Sequence, residues 1–264
     1  IGGFVAQRSF LALFIIDSII SCVVALLFYL FMPETKPQHA LEGEEKPEGI
    51  LATFRGYFTV MRDKAYMAFL VAGILMGLVY QQMYNSLSVY LRDNHGIESQ
   101  GYGFLLTTSA IVVILFQFTI TRVIKKRPPF LMMALGTFFY AIGFSMFGWV
   151  NAYPYFALAI IIITIGEMLV VPTSQALAAN FAPEDMRGRY MAVFGLLWMI
   201  PATIGPGAAG YILDNYNPNL LWIAGGGLCL VSVLAYLYLH SRLGTQQRFA
   251  SPPPEVVEQP AASQ

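Results

Sequence analysis

Residues 165–214 read IGEMLVVPTSQALAANFAPEDMRGRYMAVFGLLWMIPATIGPGAAGYILD. An apolar helix carries one carboxylate, Glu167, near its centre, and a short polar turn follows over 182–189. A second apolar helix then ends in the small-residue run Gly205-Pro206-Gly207-Ala208-Ala209-Gly210. A carboxylate at mid-membrane depth costs about 3 kcal/mol or more. Chains keep such groups where they face a protein interior or a water-filled path. The stretch predicts two membrane-crossing helices joined by a charged turn, with Glu167 as the most informative residue.

The rest of the chain agrees with that reading. Of 264 residues, 57% are hydrophobic and 11% charged, with a mean hydropathy of +0.61; a soluble domain is nearer about 25% charged. The formal net charge is zero, which offers nothing to nucleic acid. The chain opens on Ile1 without a methionine or a signal-peptide layout, and it reads as a piece of a longer protein. Cys22 and Cys229 both fall in apolar spans, as packing residues rather than a disulfide or metal pair.

Crossing a bilayer takes roughly 20 apolar residues. Seven runs qualify: 10–32, 65–91, 101–124, 129–150, 154–177, 188–214 and 219–241. All are expected to be helices, because an open strand would leave its backbone unsatisfied in lipid. If the 33–64 loop is cytoplasmic, thirteen of the fifteen Lys and Arg lie inside, and only Arg8 and Arg92 lie outside. The first helix therefore runs out to in, with the central loop and C-terminal tail cytoplasmic. The domain plan is a helix over 1–32, a central loop over 33–64, a six-helix bundle over 65–241 and a tail over 242–264 of disordered composition.

Within the loop, 39–49 is acidic and proline-containing, a solvated linker. Leu51, Phe54, Phe58 and Met61 recur at helical spacing beside Arg55 and Arg62. That pattern predicts an amphipathic helix at the inner interface, the alternative being an extension of the next span. Asp63 is placed to cap that span. Its outer half is polar, and Gln81, Asn85 and Ser88 share one face, with Gln82 and Tyr84 beside them. Such a face lines a polar cavity or bonds to neighbouring helices near the outer interface. Gly73-x-x-x-Gly77 marks a close helix approach. Asp17, in the first span, suits a bond to a neighbouring helix or contact with water. Glu167, between Gly166 and Pro172, suits a proton or cation site, or else a neutral carboxyl bonded to a neighbouring helix.

These residues resemble the major facilitator superfamily, in its drug/proton antiporter branch. Arg187-Gly188, followed by Gly205-Pro206 and Ala209-Gly210, is similar to the pattern of that family's eleventh helix; Gly166-Glu167-Met168-Leu169 with Pro172 is similar to its tenth. Ile1-Gly2-Gly3 resembles the end of the antiporter glycine motif, and residues 1–14 weakly repeat 209–222, as two six-helix repeats would. The basic loop Arg122, Lys125, Lys126 matches a further family motif, but Thr121 stands where the family has aspartate.

The resemblance implies an all-α membrane protein whose seven spans are helix six and the C-terminal six-helix bundle of a twelve-helix fold. It also implies alternating access, with a proton gradient as the energy source and no cofactor. The expected site is Glu167 with Gln81, Gln82, Tyr84 and Asn85, while Asp17 is a secondary carboxylate. Arg187, Gly188, Gly205, Pro206 and Gly210 form a packing motif that bends during transport. The expected partners are the bilayer, protons, an amphipathic small-molecule substrate and the N-terminal half of the same chain, in a bacterial inner membrane. The rivals are a same-fold transporter of a defined solute, such as a sugar or metabolite, and a non-transporting receptor or scaffold. His39, His95 and His240 are scattered and no nucleophile or metal cluster is spaced for catalysis, so an enzyme is not expected.

Overall fold

In lipid the backbone has no water to bond, so each apolar run closes its own hydrogen-bond ladder and becomes helix. The computed structural model describes residues 10–32 and 50–244. The Ile1-Gly2-Gly3 motif, the linker over 39–49 and the tail past 244 lie outside the described residues. Those described form α1 (Phe10–Phe31), α2 (Ile50–Arg62), α3 (Lys64–Tyr80), α4 (Gln82–Asn85), α5 (Leu87–His95) and α6 (Ser99–Ile124). Then come α7 (Pro129–Phe147), α8 (Tyr153–Phe181), a 3-10 turn (Glu184–Met186), α9 (Arg187–Phe194), α10 (Leu196–Asn215) and α11 (Asn219–Leu243). Seven segments among them are long and apolar enough to cross a membrane, and they match the seven expected runs.

Two of the runs are not single helices. The 65–91 run breaks at Gln81 and Ser86, giving α3, α4 and α5. There the Gln82 amide donates to the Leu78 carbonyl at 2.9 Å and accepts from Ser86 Oγ at 2.7 Å, side-chain bonds that compete with the backbone ladder. The 188–214 run breaks at Gly195, between α9 and α10. Backbone angles stay right-handed at all three breaks, so hydropathy passes through them unchanged.

The chain divides at Thr53/Phe54 into two units. In the first, α1 is apolar nearly all round, with Asp17 and Cys22 both exposed. The second is a row of helices, α6, α8, α7, α11, α3 and α10, each lying against the next, with α7 central. Hydrophobicity does not draw helices together in lipid; close backbone packing does. A Cβ on Gly77 would stand 3.0 Å from the Leu197 carbonyl oxygen, so the expected Gly73–Gly77 pattern is the seam between α3 and α10. Across the α7–α8 seam, a Cβ on Gly136 would stand 2.8 Å from the Gly166 carbonyl oxygen.

At one end of the bundle, α2 stops at Asp63, whose extended backbone separates it from α3. The amphipathic segment is thus its own helix, not an extension of the next. Gly56 and Val60 face inward, with Gly56 against the Arg189 side chain. Phe58 and Met61 face outward, and the Arg62 guanidinium sits 4.5 Å over the Phe58 ring. Asp63 Oδ1 accepts from the Ala65 and Tyr66 amides at 3.1 Å, and Oδ2 accepts from the Tyr190 hydroxyl at 3.1 Å. Asp63→Ala is expected to lower the thermal stability of the purified protein by about 1 kcal/mol through the lost cap. Asp63→Asn, which keeps an acceptor, should recover most of it; equal stability of all three would sink the cap's role.

At the opposite end, the Tyr90 hydroxyl lies 2.8 Å from the Phe147 carbonyl and 2.7 Å from Asn219 Oδ1, tying α5 to α7 and α11. The His95 ring lies between Tyr90 and Phe156, at 5.0 and 4.9 Å, and its Nε2 has no hydrogen-bond partner among the described residues. Burial pushes the His95 imidazole below the ordinary histidine value of 6.5. Above that value both folded and unfolded chains hold it neutral, and its contribution to stability is complete. As pH falls, the unfolded chain takes the proton first, and stability is lost down through the lower folded value. His95→Phe is expected to flatten this part of the stability–pH curve; an unchanged slope would assign it to other groups.

Candidate functional site

Glu167 occupies the midpoint of α8, about 21 Å along the axis from either end. Its neighbour Gly166 lets α7 come close, so residues of α7 and α3 crowd the carboxyl. Tyr80, the last residue of α3, donates its hydroxyl to Glu167 Oε1 at 2.6 Å. The Tyr80 ring stacks on Tyr140 of α7 at 5.5 Å and meets Trp198 of α10 edge-on at 5.9 Å. One turn on, the Tyr84 hydroxyl lies 3.2 Å from that of Tyr80. Tyr80 is 7% exposed and Tyr84 47%. The carboxyl is half-buried and held by the Tyr80 hydroxyl, whose ring is packed against three other aromatic rings.

On its other side Glu167 opens on a cavity of about 250 Å³ between α6 and α8. Gln117, Gln175, Val113, Met168, Val171 and Pro172 complete its lining. Gln117 donates to Thr121 Oγ1 at 3.0 Å, which orients its amide. Past Pro172, which lacks an N–H, the Thr173 hydroxyl donates back to the Leu169 carbonyl at 2.6 Å. A carboxylate, two amides and an apolar floor can hold a cation or an amphipathic base, and the carboxyl can exchange a proton.

The expected residues are shared among several places. Tyr84 joins Glu167 through Tyr80. Gln81 is half-buried at the break after α3. Gln82 is buried, its amide engaged within its own turn, and packs against Gly205: a Cβ there would stand 2.7 Å from Nε2. Asn85, Pro206 and Gly210 meet at a different cavity, of about 360 Å³. Arg187 and Gly188 are exposed at the start of α9, with open space around the missing Cβ of Gly188. Asp17 lies in the other unit. Sequence reading missed Tyr80 as the partner of the carboxyl, Tyr140 and Trp198 as the rings that hold Tyr80, and Gln117 and Gln175 as lining of the same cavity. Tyr80 stood among the polar residues of its span, but nothing local ties it to a residue 87 positions away.

Comparison with known proteins follows the same line. The profile described as Major Facilitator Superfamily matches residues 1–206 and 86–262. An uncharacterized MFS-type transporter of Bacillus subtilis, YttB, is 26% identical over 249 residues, covering 92% of this chain and 60% of its own length. A Na(+), Li(+), K(+)/H(+) antiporter of Planococcus maritimus is 25% identical over 211 residues, covering 72% of this chain and 49% of its own. The chain therefore spans about half to three-fifths of the length of these relatives. Crystal structures of a POT family transporter, with a thioalcohol conjugated peptide and with 5-aminolevulinic acid, superpose with a TM-score of 0.62. At 17% and 18% identity, covering 91% of this chain and 55% of theirs, they share its fold.

Proposed function

The chain belongs to the Major Facilitator Superfamily, and from that premise we propose that it is the C-terminal portion of a proton-coupled exporter of amphipathic small molecules, working by alternating access. The observation that carries this is Glu167, a carboxyl at the midpoint of a membrane helix, half-buried among aromatic rings and open to a cavity. Aromatic faces and one carboxyl suit a greasy cation, which gains cation–π attraction as well as charge pairing. Proton and cation compete for the same carboxyl, which is what exchange across a membrane needs. The central loop and tail are assigned to the cytoplasm by the basic residues they carry.

A second reading rests on the cavity lining. Glu167, Gln117 and Gln175 line one cavity and carry side-chain oxygens, the kind of ligand a hard metal cation takes, and the Planococcus relative is described as a Na(+), Li(+), K(+)/H(+) antiporter. The test uses the full-length protein that contains this chain, reconstituted in proteoliposomes under an imposed pH gradient. Flux of a cationic dye that depends on the gradient supports the exporter. Gradient-dependent flux of Na+, Li+ or K+ without dye movement transfers the proposal to cation exchange. Dye flux that is identical with and without the gradient overturns the exporter reading.

A further inference from the structure

The carboxyl of Glu167 does not meet the exposed surface of α4 directly; two hydroxyls stand between them. A carboxylate only accepts hydrogen bonds, so the 2.6 Å contact fixes the Tyr80 proton on the Glu167 side. Tyr80 has one proton to give, and in that state the 3.2 Å contact is donated by Tyr84. Both hydroxyls then donate in the direction of the carboxylate, from an exposed tyrosine to a half-buried acid. The Tyr80 ring is held by Tyr140 and Trp198.

We propose that Tyr80 and Tyr84 form a two-hydroxyl wire that carries the proton between Glu167 and the exposed face of α4. The proposal deepens the reading of Glu167 as the coupling carboxyl and rests on it. In the loading step a hydronium ion at Tyr84 gives its proton to the Tyr84 oxygen. The Tyr84 proton passes to the Tyr80 oxygen, and the Tyr80 proton passes to Glu167 Oε1. Three O–H bonds break and three form; the hydronium ion becomes water, both phenols stay neutral, and the carboxylate becomes a carboxylic acid. The hydrogen bonds then run outward, from Glu167 to Tyr80 to Tyr84, and release is the same sequence reversed. Such aligned chains strengthen one another in a low-dielectric interior.

The titratable groups around the wire are few. Tyr140 faces Tyr80 from α7, Tyr102 of α6 lies near Tyr84, and Cys229 and Tyr236 of α11 lie near Tyr140. Among the described residues, no Lys or Arg side chain interacts with Tyr80, Tyr84 or Glu167. Within the wire Tyr80 positions and relays the proton through its hydroxyl.

The experiment uses the full-length protein in proteoliposomes and compares wild type, Tyr80→Phe, Tyr84→Phe and Glu167→Gln with a cationic dye. Two fluxes are read: dye movement driven by a pH gradient, across a pH series, and dye–dye exchange without net proton movement. Tyr80→Phe keeps the ring contacts and removes both hydrogen bonds. It is expected to slow gradient-driven flux by about tenfold or more and change its pH profile, a larger loss than any it causes in dye–dye exchange. Tyr84→Phe changes an exposed residue, reads the wire even if the buried variant fails to fold, and is expected to slow the same flux. Wild-type rates and pH profiles in both phenylalanine variants, with Glu167→Gln inactive, overturn the wire and leave the exporter reading standing. Wild-type gradient-driven flux in Glu167→Gln overturns that reading and the wire with it.

Discussion

Glu167→Gln in the full-length protein is expected to abolish pH-gradient-driven dye flux, by about 100-fold or to background, while the protein folds as before. Glutamine has the same length and keeps an oxygen to accept the Tyr80 hydroxyl, so the 2.6 Å contact with α3 has a replacement. What it lacks is a proton that comes and goes. The loss then lies on the link between chemistry and transport, not between sequence and packing. Glu167→Asp, which keeps the acid but is one methylene shorter, is expected to retain part of the flux with a weakened Tyr80 contact. Thermal melts of the variants separate the two kinds of loss. Full gradient dependence in the glutamine variant would reduce Glu167 to an interhelical hydrogen bond and move coupling elsewhere in the protein.

Gly166→Val should produce the largest loss of stability. A Cβ at Gly166 would stand 2.6 Å from the Gly136 carbonyl oxygen and 2.9 Å from Cδ1 of Tyr140. The first of these is backbone, which cannot swing aside, and valine adds two further carbons in the same space. Helices α7 and α8 must then separate, and in lipid that surrenders the close packing that holds them together. A cost of about 3 kcal/mol is the upper end for overpacking. Displacing Tyr140 also removes the ring on which Tyr80 stacks, so flux should fall in whatever protein still folds. Gly227→Ala on α11, where a Cβ meets nothing within 4 Å, is the control and should melt like wild type. Equal melting of Gly166→Val and wild type in size-exclusion or fluorescence assays would show that this seam yields.

Amino-acid order alone determined the seven spans, because the bilayer's demand for apolar side chains and a satisfied backbone is local and adds up residue by residue. It located the capping Asp63, the amphipathic α2 and the Gly73–Gly77 seam for the same reason: each depends on neighbours within a few positions. The breaks at Gln81, Ser86 and Gly195 were not legible, since they change one or two hydrogen bonds and leave hydropathy untouched. Nor was the division of labour in the polar half of the second span. Gln82 turns into the seam that Gly205 leaves open, Asn85 joins a separate cavity, and Tyr80 reaches Glu167 across 87 residues. Helices that are apolar on every side carry no inward face in their sequence. Which polar groups meet is decided when small residues let particular backbones close together and so set each helix's rotation.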